Sequence, residues 1–336
     1  MTLETAFERI ELPLEHPFTI TRGTTDTVEN VIVRIADEDD TEGIGGASPS
    51  SRYGETVETV EAILPSLLDV VERVGDPSEH DRIEREMAAT VSGNPAAKAA
   101  IDIALHDLRA KRAGEPLYRY WGLDATRTPD TSFTIAIDEP AVMARRAKTA
   151  VEAGYDVLKV KLGVGRDVDR LEAVRTGAPE ATIRVDANEG WSPREAVRAI
   201  ESIREYDVEF VEQPVPARNS AGLEFVYEHA PLPIAVDESV LRATEVPAVA
   251  DRADIVNLKL MKSGGLREAR RIIDVARAHD LEVMAGCMLE SNASIAAAAH
   301  LAPLLDYADL DGSLLLEHDP FSGVPMSNGS IDLDTM

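Results

Sequence analysis

The chain has 336 residues, 44% of them apolar, and a formal net charge of −27. That length accommodates one large domain plus a smaller one, and no apolar run is long enough to span a bilayer. The negative field repels nucleic acid and anionic membrane surfaces, so neither is expected as a partner, and Cys287 as the sole cysteine excludes an intrachain disulfide.

In chain order, the opening MTLETAFERI carries acids where a signal peptide needs a basic head and an apolar middle, which predicts a cytoplasmic protein. Alternating segments such as VENVIVRI predict antiparallel strands. Helical patterns follow in GETVETVEAILPSLLDVVERV, PSEHDRIEREMAA and NPAAKAAIDIALHDLRAKRAG. The last is bounded by Asn94-Pro95 and Gly114, a start and a stop signal. Residues 1–125 therefore read as an α+β domain. Beyond them eight short apolar runs alternate with helical stretches: TSFTIAI, VLKVKL, TIRVDAN, VEFVEQP, PIAVDES, IVNLKL, EVMAGCM and YADLDG. A strand of about 5 residues, a helix of about 11 and two loops give a repeat of roughly 20–30 residues, the spacing seen here. Apolar strands alternating with helices imply a parallel sheet, and eight units imply an α/β protein with a closed (β/α)8 barrel over 126–312. The remainder, 313–336, is too short for a domain and is expected to pack back on the first one.

Each buried run ends in a charge where an apolar residue is expected: Lys161, Asp186, Glu212, Asp237, Lys259 and Asp309/Asp311. The C-terminal ends of barrel strands share one mouth, where active sites form, so these side chains should converge there. One aspartate after a strand is commonly a helix cap, and one lysine commonly snorkels. Six strands charged at equivalent places point to a site. Asp186, Glu212 and Asp237, on barrel strands 3, 4 and 5, form a hard, oxygen-only set suited to Mg2+, one ion per subunit. Lys161 on strand 2 and Lys259 on strand 6 flank that set. A lysine crowded by other cations has a lowered pKa and serves as a base near neutral pH. One on each side of an α-carbon can take a proton from one face and return one to the other, while the metal and Lys159 hold the enolate between.

The motifs KVK, VDAN, EQP, VDES and NLKLMKSGG, in this order and spacing across nearly the whole chain, resemble the enolase superfamily in its muconate-lactonizing subgroup. That resemblance implies a modified TIM barrel, an N-terminal α+β capping domain, and a lysine base working with Mg2+. Strand 7 ends in GCMLES, without the histidine of the mandelate-racemase subgroup. ADLDG resembles the Asp-x-Asp motif of dipeptide epimerases, which implies that Asp309 and Asp311 bind the α-ammonium of a dipeptide. A cationic substrate end needs buried anions, and two acids spaced two apart share one strand face. A Gly turn starting at Asp311 is the competing reading. Thr134 and Met288 match segments that lie along the dipeptide. FTITRGTTD and SPSSRYGET resemble flap loops over the mouth. Arg22 matches the arginine that clamps the Glu carboxylate in L-Ala-D/L-Glu epimerases, a task suited to a bidentate guanidinium. Gly46 departs from the pattern, since relatives often carry an acid there.

The activity implied is Mg2+-dependent epimerisation at the α-carbon of a dipeptide's C-terminal residue. A cycloisomerase, an o-succinylbenzoate synthase or an N-acylamino acid racemase is the alternative within the superfamily. Their substrates lack a free ammonium, so Asp309 and Asp311 discriminate. A metal-binding barrel without turnover would leave Lys161 without a role. Only 7 of the 34 basic residues are lysine, and the acids are scattered along the chain. This predicts a high-salt cytoplasm, where a short Debye length screens self-repulsion, with an ordinary acidic protein as the alternative. A homo-oligomer is compatible with the sequence.

Overall fold

The computed structural model describes residues 2–335. Strands β1 (Glu4–Ile20), β2 (Gly23–Ala36) and β3 (Glu42–Ala47) form an antiparallel sheet in that order. Pairing of β1 with β2 runs from Glu4–Ala36 to Ile20–Gly23, so Thr21 and Arg22 form the tip of a long hairpin where the sequence suggested a loose flap. The register breaks after Pro13, whose missing N–H cannot serve the ladder. There the hairpin pairs with the C-terminal segment instead: Glu15 N–H donates to Leu315 O (3.0 Å) and Glu317 N–H to Pro13 O (2.9 Å).

Helices α1 (Val57–Val74), α2 (His80–Thr90), α3 (Pro95–Ala113) and α4 (Leu117–Tyr120) follow. Thr56 and Thr59 form a capping box at the start of α1, and Gly75 ends it at φ 68°. Helix α3 starts at Pro95 and stops at Gly114 (φ 70°), as its sequence signals require. It is buried on opposite sides, against β3 on one and the barrel on the other. A Cβ on Gly43 or Gly45 would lie 2.0 Å from the carbonyl oxygen of Ala104 or Ala100, so only glycine lets β3 approach the helix.

The barrel comprises β4 (Phe133–Ile135), α5 (Pro140–Glu152), β5 (Val157–Lys161), α6 (Asp167–Gly177), β6 (Thr182–Asp186), α7 (Pro193–Ile203), β7 (Val208–Glu212) and α8 (Ser220–His229). It continues through β8 (Ile234–Val236), β9 (Ile255–Leu258), α9 (Leu260–Ser263), α10 (Leu266–Ala278), β10 (Glu282–Gly286), α11 (Asn292–Ala299) and β11 (Tyr307–Asp309). All eight strands lie inside the predicted runs and pair in parallel in chain order. A bridge between Thr131 and Ala308 brings the two edges together. One unit departs from the expected beat. Behind β8 the chain forms a 3-10 segment, Ala243–Ala248, in place of an α-helix. Pro247 inside it removes a donor and disfavours helical geometry at the residue before it.

Two contacts dock the N-terminal helices on the barrel. Asp102 of α3 accepts from Leu266 N–H (2.6 Å) at the start of α10, and Glu84 of α2 pairs with Arg267 (2.7 Å) and Arg271 (2.8 Å). Because β3 and α3 meet backbone to backbone, Gly45→Ala should destabilise the protein by about 3 kcal/mol, read as a lowered midpoint in urea unfolding. An unchanged midpoint would mean that the close approach is not required.

Candidate active site

The ladder itself aligns the charges. Lys161 on β5 is the register partner of Asp186 on β6, and Asp186 is the partner of Glu212 on β7. Three neighbouring strands thus end in one charged row. Asp237 lies just past β8, and Lys259 just past β9, where it leads into the short helix α9.

Ammonium groups interlock with the carboxylates. Lys159 Nζ lies 2.7 Å from Glu212 Oε2, 2.7 Å from Asp309 Oδ2 and 3.2 Å from Asp186 Oδ2. Lys161 Nζ donates to Asp186 Oδ2 at 2.7 Å. Lys259 lies 2.8 Å from Asp237 Oδ2, and Lys262 donates to Asp237 Oδ1 at 2.7 Å. Asn188 N–H and Asn257 Nδ2 complete the set, donating to Asp186 (2.8 Å) and Glu212 (2.7 Å). All of these side chains are buried.

The protonation states follow from this packing. Burial pushes each carboxyl up, but the lysines hold Asp186 and Asp237 well below the usual carboxylate range. Glu212 stays raised, by burial first and then by the neighbouring charge of Asp186. Burial works to lower Lys159 and Lys259, yet Asp309 and Asp237 respectively lead the carboxylates that hold them well above the usual lysine range. At Lys259 the expectation of a base lowered by crowded cations is reversed, because anions outnumber cations around it. Lys262 is lowered, through burial.

Above this layer lies a cavity of about 250 Å3, lined in part by Arg22, Thr134, Lys161, Lys259, Met288, Asp309 and Asp311. Lys159, Asp186 and Asp237 contact that lining through Asp309, Lys161 and Lys259 respectively, and Glu212 pairs with Lys159. Asp309 and Asp311 do not share a strand face as expected, since β11 ends at Asp309. Asp309 is held by Lys159 and by Ser132 Oγ (2.6 Å). Asp311 accepts from Thr134 N–H at 2.6 Å and is pushed up to about 7 by burial and by Asp309. Met288 N–H points away to Glu290 Oε1 (2.8 Å). Arg22 donates to Glu238 Oε1 at 3.0 Å, and Arg52 forms a two-pronged pair with Glu189, 2.8 Å at each contact.

Two family models cover the chain: "Mandelate racemase / muconate lactonizing enzyme, N-terminal domain" over residues 4–122 and "Enolase C-terminal domain-like" over 142–333. The chain belongs to the mandelate racemase / muconate lactonizing enzyme family of the enolase superfamily. It is 40% identical to the L-Ala-D/L-Glu epimerase of Bacteroides thetaiotaomicron, over 99% of this chain and 86% of that protein. Its structure is similar to a substrate-liganded L-Ala-D/L-Glu epimerase from Bacillus subtilis, with a TM-score of 0.92, 34% identity, and coverage of 98% and 95% of the two chains. It is also similar to a dipeptide epimerase from Enterococcus faecalis complexed with Mg and L-Leu-L-Tyr, with a TM-score of 0.89, 35% identity, and coverage of 98% and 96%.

Several residues of this family member escaped sequence reasoning. Lys262 follows Lys259 by three residues, a spacing that signals a shared face once α9 is known to be helical. Glu238 stands beside Asp237 in VDES and was passed over for its neighbour. Glu290 had a signal in GCMLES but no assigned partner. Glu290 is buried, accepts from Ser294 Oγ and Met288 N–H, and is raised to about 7 by burial. Its folded-state pKa exceeds the unfolded one, so its contribution is complete below about pH 4.5 and lost as pH rises through 7. Glu290→Gln should therefore gain roughly 3 kcal/mol relative to wild type between pH 4.5 and 8, measured by urea unfolding at both values. A constant difference would place an ionised Glu290 in the fold.

Proposed function

We propose that the protein is a Mg2+-dependent dipeptide epimerase in which Lys161 and Lys259 are the two bases and Asp186, Glu212 and Asp237 the metal ligands. The observation that carries this reading is the single cavity into which both lysines open, backed by a buried carboxylate layer. The donor set fits a hard cation. All three groups offer oxygen, and Glu212 Oε2 is buried with no hydrogen bond, although Lys159 Nζ is 2.7 Å away. Bound there, Mg2+ supplies positive charge against the negative charge that builds on the substrate carboxylate.

The chain's own groups do the rest. One lysine, as the free amine, takes the α-proton of the C-terminal residue, breaking the Cα–H bond. The electron pair forms a double bond from Cα to the carboxylate carbon while the C=O π pair moves onto oxygen, and Lys159 adds an ammonium charge beneath the carboxylate oxygens. The opposite lysine, as the ammonium, delivers its proton to the other face of the same carbon, and the configuration inverts. The roles exchange for the reverse direction. Asp311, with Asp309 behind it, receives the substrate's α-ammonium, whose charge favours the ionised form of Asp311.

Arg22, at the hairpin tip, reads the side chain of the second residue, and residues 1–125 serve as the selecting domain. An acidic side chain would exchange with Glu238 for the guanidinium, which supports an L-Ala-D/L-Glu-like substrate. The pairing of Arg22 with Glu238, together with the apolar wall of Phe18, Ile20 and Leu289, favours an apolar second residue as the other reading. The composition supports work in a salt-rich cytoplasm, and a homo-oligomer is compatible with the sequence.

In deuterated water with Mg2+, wild type should incorporate one deuterium at the C-terminal α-carbon of L-Ala-L-Glu and L-Ala-D-Glu. Lys161→Ala should lose exchange from one epimer and Lys259→Ala from the other, each by about 10²–10⁴-fold. Symmetric loss, or none, would sink the two-base scheme. Arg22→Met should lower kcat/KM for L-Ala-L-Glu by roughly 10–100-fold while leaving L-Ala-L-Leu nearly unchanged. Equal effects on both would favour the apolar reading.

A further inference from the structure

Away from the barrel mouth, one group of side chains has no part in the scheme above. His80 opens α2, while Asp102 and His106 lie one turn apart on the same face of α3. They are 1%, 3% and 6% exposed. One candidate ligand atom from each residue can be chosen so that all lie within 4.8 Å of one another. His80 Nε2 is 2.9 Å from Asp102 Oδ1, and His106 Nδ1 is 3.5 Å from Asp102 Oδ2. The two imidazole centroids are 4.4 Å apart, tilted by 54°.

His80 is hard to explain as an ordinary core histidine. Its Nδ1 has no hydrogen-bond partner, while its Nε2 faces the carboxylate of Asp102 at 2.9 Å. Leaving one such group unpaired costs about 1–3 kcal/mol, so a missing partner at Nδ1 is the simpler account. We propose that His80, Asp102 and His106 form a second metal site, selective for a borderline transition-metal ion such as Zn2+, that ties α2 and α3 to the barrel. This goes beyond the epimerase reading and does not depend on it.

The chemistry agrees on four counts. Two imidazoles and one carboxylate suit Zn2+, Co2+ or Ni2+, whereas the oxygen-only set at the mouth suits Mg2+. Ligand atoms about 2.0–2.1 Å from a tetrahedral ion sit roughly 3.3 Å apart, within the 4.8 Å spread of this cluster. Supporting bonds are in place: Asp102 Oδ2 accepts from Leu266 N–H at 2.6 Å, and His106 Nδ1 lies 2.8 Å from the Asp102 carbonyl oxygen, which leaves Nε2 as the nitrogen His106 offers to an ion. Burial lowers His80 toward its neutral form, and Asp102 is held below the usual carboxylate range despite its burial, the states a metal requires. Since Asp102 also caps α10, an ion held here would join the two domains through one carboxylate.

Cobalt reports the difference between the two sites. Full-length protein, stripped with chelator and held in excess Mg2+, should take up one equivalent of Co2+ with an intense visible ligand-field band, displaced by Zn2+. The same band should survive in Glu212→Gln and disappear in His80→Ala and His106→Ala. Zinc retained after dialysis should fall from about one per chain to below one tenth in the histidine variants. Only a weak octahedral band in wild type, or an intense band that persists in His80→Ala, would overturn the proposal. If the histidine variants fail to fold, the wild-type spectrum and its survival in Glu212→Gln still decide.

Discussion

Everything at the barrel mouth depends on buried ammonium groups lying between carboxylates. A buried carboxylate without a partner is costly, and the cost is met here by lysines on adjacent strands. Lys159 serves three carboxylates at once, from β6, β7 and β11. A tetrahedral ammonium with three donors can reach partners in three directions, whereas a planar guanidinium presents its donors in one fork. This explains an otherwise odd distribution. The chain has 7 lysines, and four of them, Lys159, Lys161, Lys259 and Lys262, are buried in this one layer. Elsewhere arginine carries most of the positive charge, with Lys98, Lys111 and Lys148 as the remaining lysines.

The rest of the molecule holds that layer in register. Parallel pairing turns three strand ends into one row, so a slip of one residue would send Lys161, Asp186 and Glu212 to the wrong face. The N-terminal sheet brings Arg22 over the mouth on a hairpin tip rather than a free loop, and Glu238 then fixes it. Helix α3 links the two parts, touching β3 through glycines on one side and α10 through Asp102 on the other.

How much of this was legible in the sequence depended on whether a residue broke a local pattern. Charges at the ends of apolar runs break it, which is why Lys161, Asp186, Glu212, Asp237 and Lys259 stood out, and why all eight strands were found. Partner choice leaves no such mark. Nothing in KVK says that Lys159 points at three carboxylates while Lys161 faces the cavity. Lys262 lies beyond the strand run IVNLKL, and nothing in the sequence pattern marks the short helix α9 that carries it. Asp311 was put on a strand because alternation continues past the point where pairing stops. The 3-10 segment at Ala243–Ala248 shows the converse, since Pro247 was visible but outweighed by the expectation of a regular beat. The cluster around Asp102 was half visible as an i, i+4 pair on α3. His80 comes from another helix, and only packing brings it there.

The charges at the mouth also show why a divalent cation suits this layer. Six buried carboxyls meet there, Asp186, Glu212, Asp237, Glu238, Asp309 and Asp311, against the four ammonium groups. Against the ammonium groups alone the shortfall is two positive charges, and Arg22 beside Glu238 reduces it to one. It falls on particular residues: Glu238 and Asp311 are both raised to about 7, by burial and then by the adjacent charge of Asp237 and Asp309. Those two carboxyls lie at the edges of the layer, where Arg22 and the proposed ammonium site meet them. A cation of charge two held by Asp186, Glu212 and Asp237 would close the deficit from the centre, relieving the repulsion that raises Glu212 and weakening the grip of Asp237 on Lys259. The same ion that fits the oxygen donors is thus the one whose charge lets a buried lysine give up its proton. On this reading, metal binding and base strength are two consequences of one electrostatic imbalance.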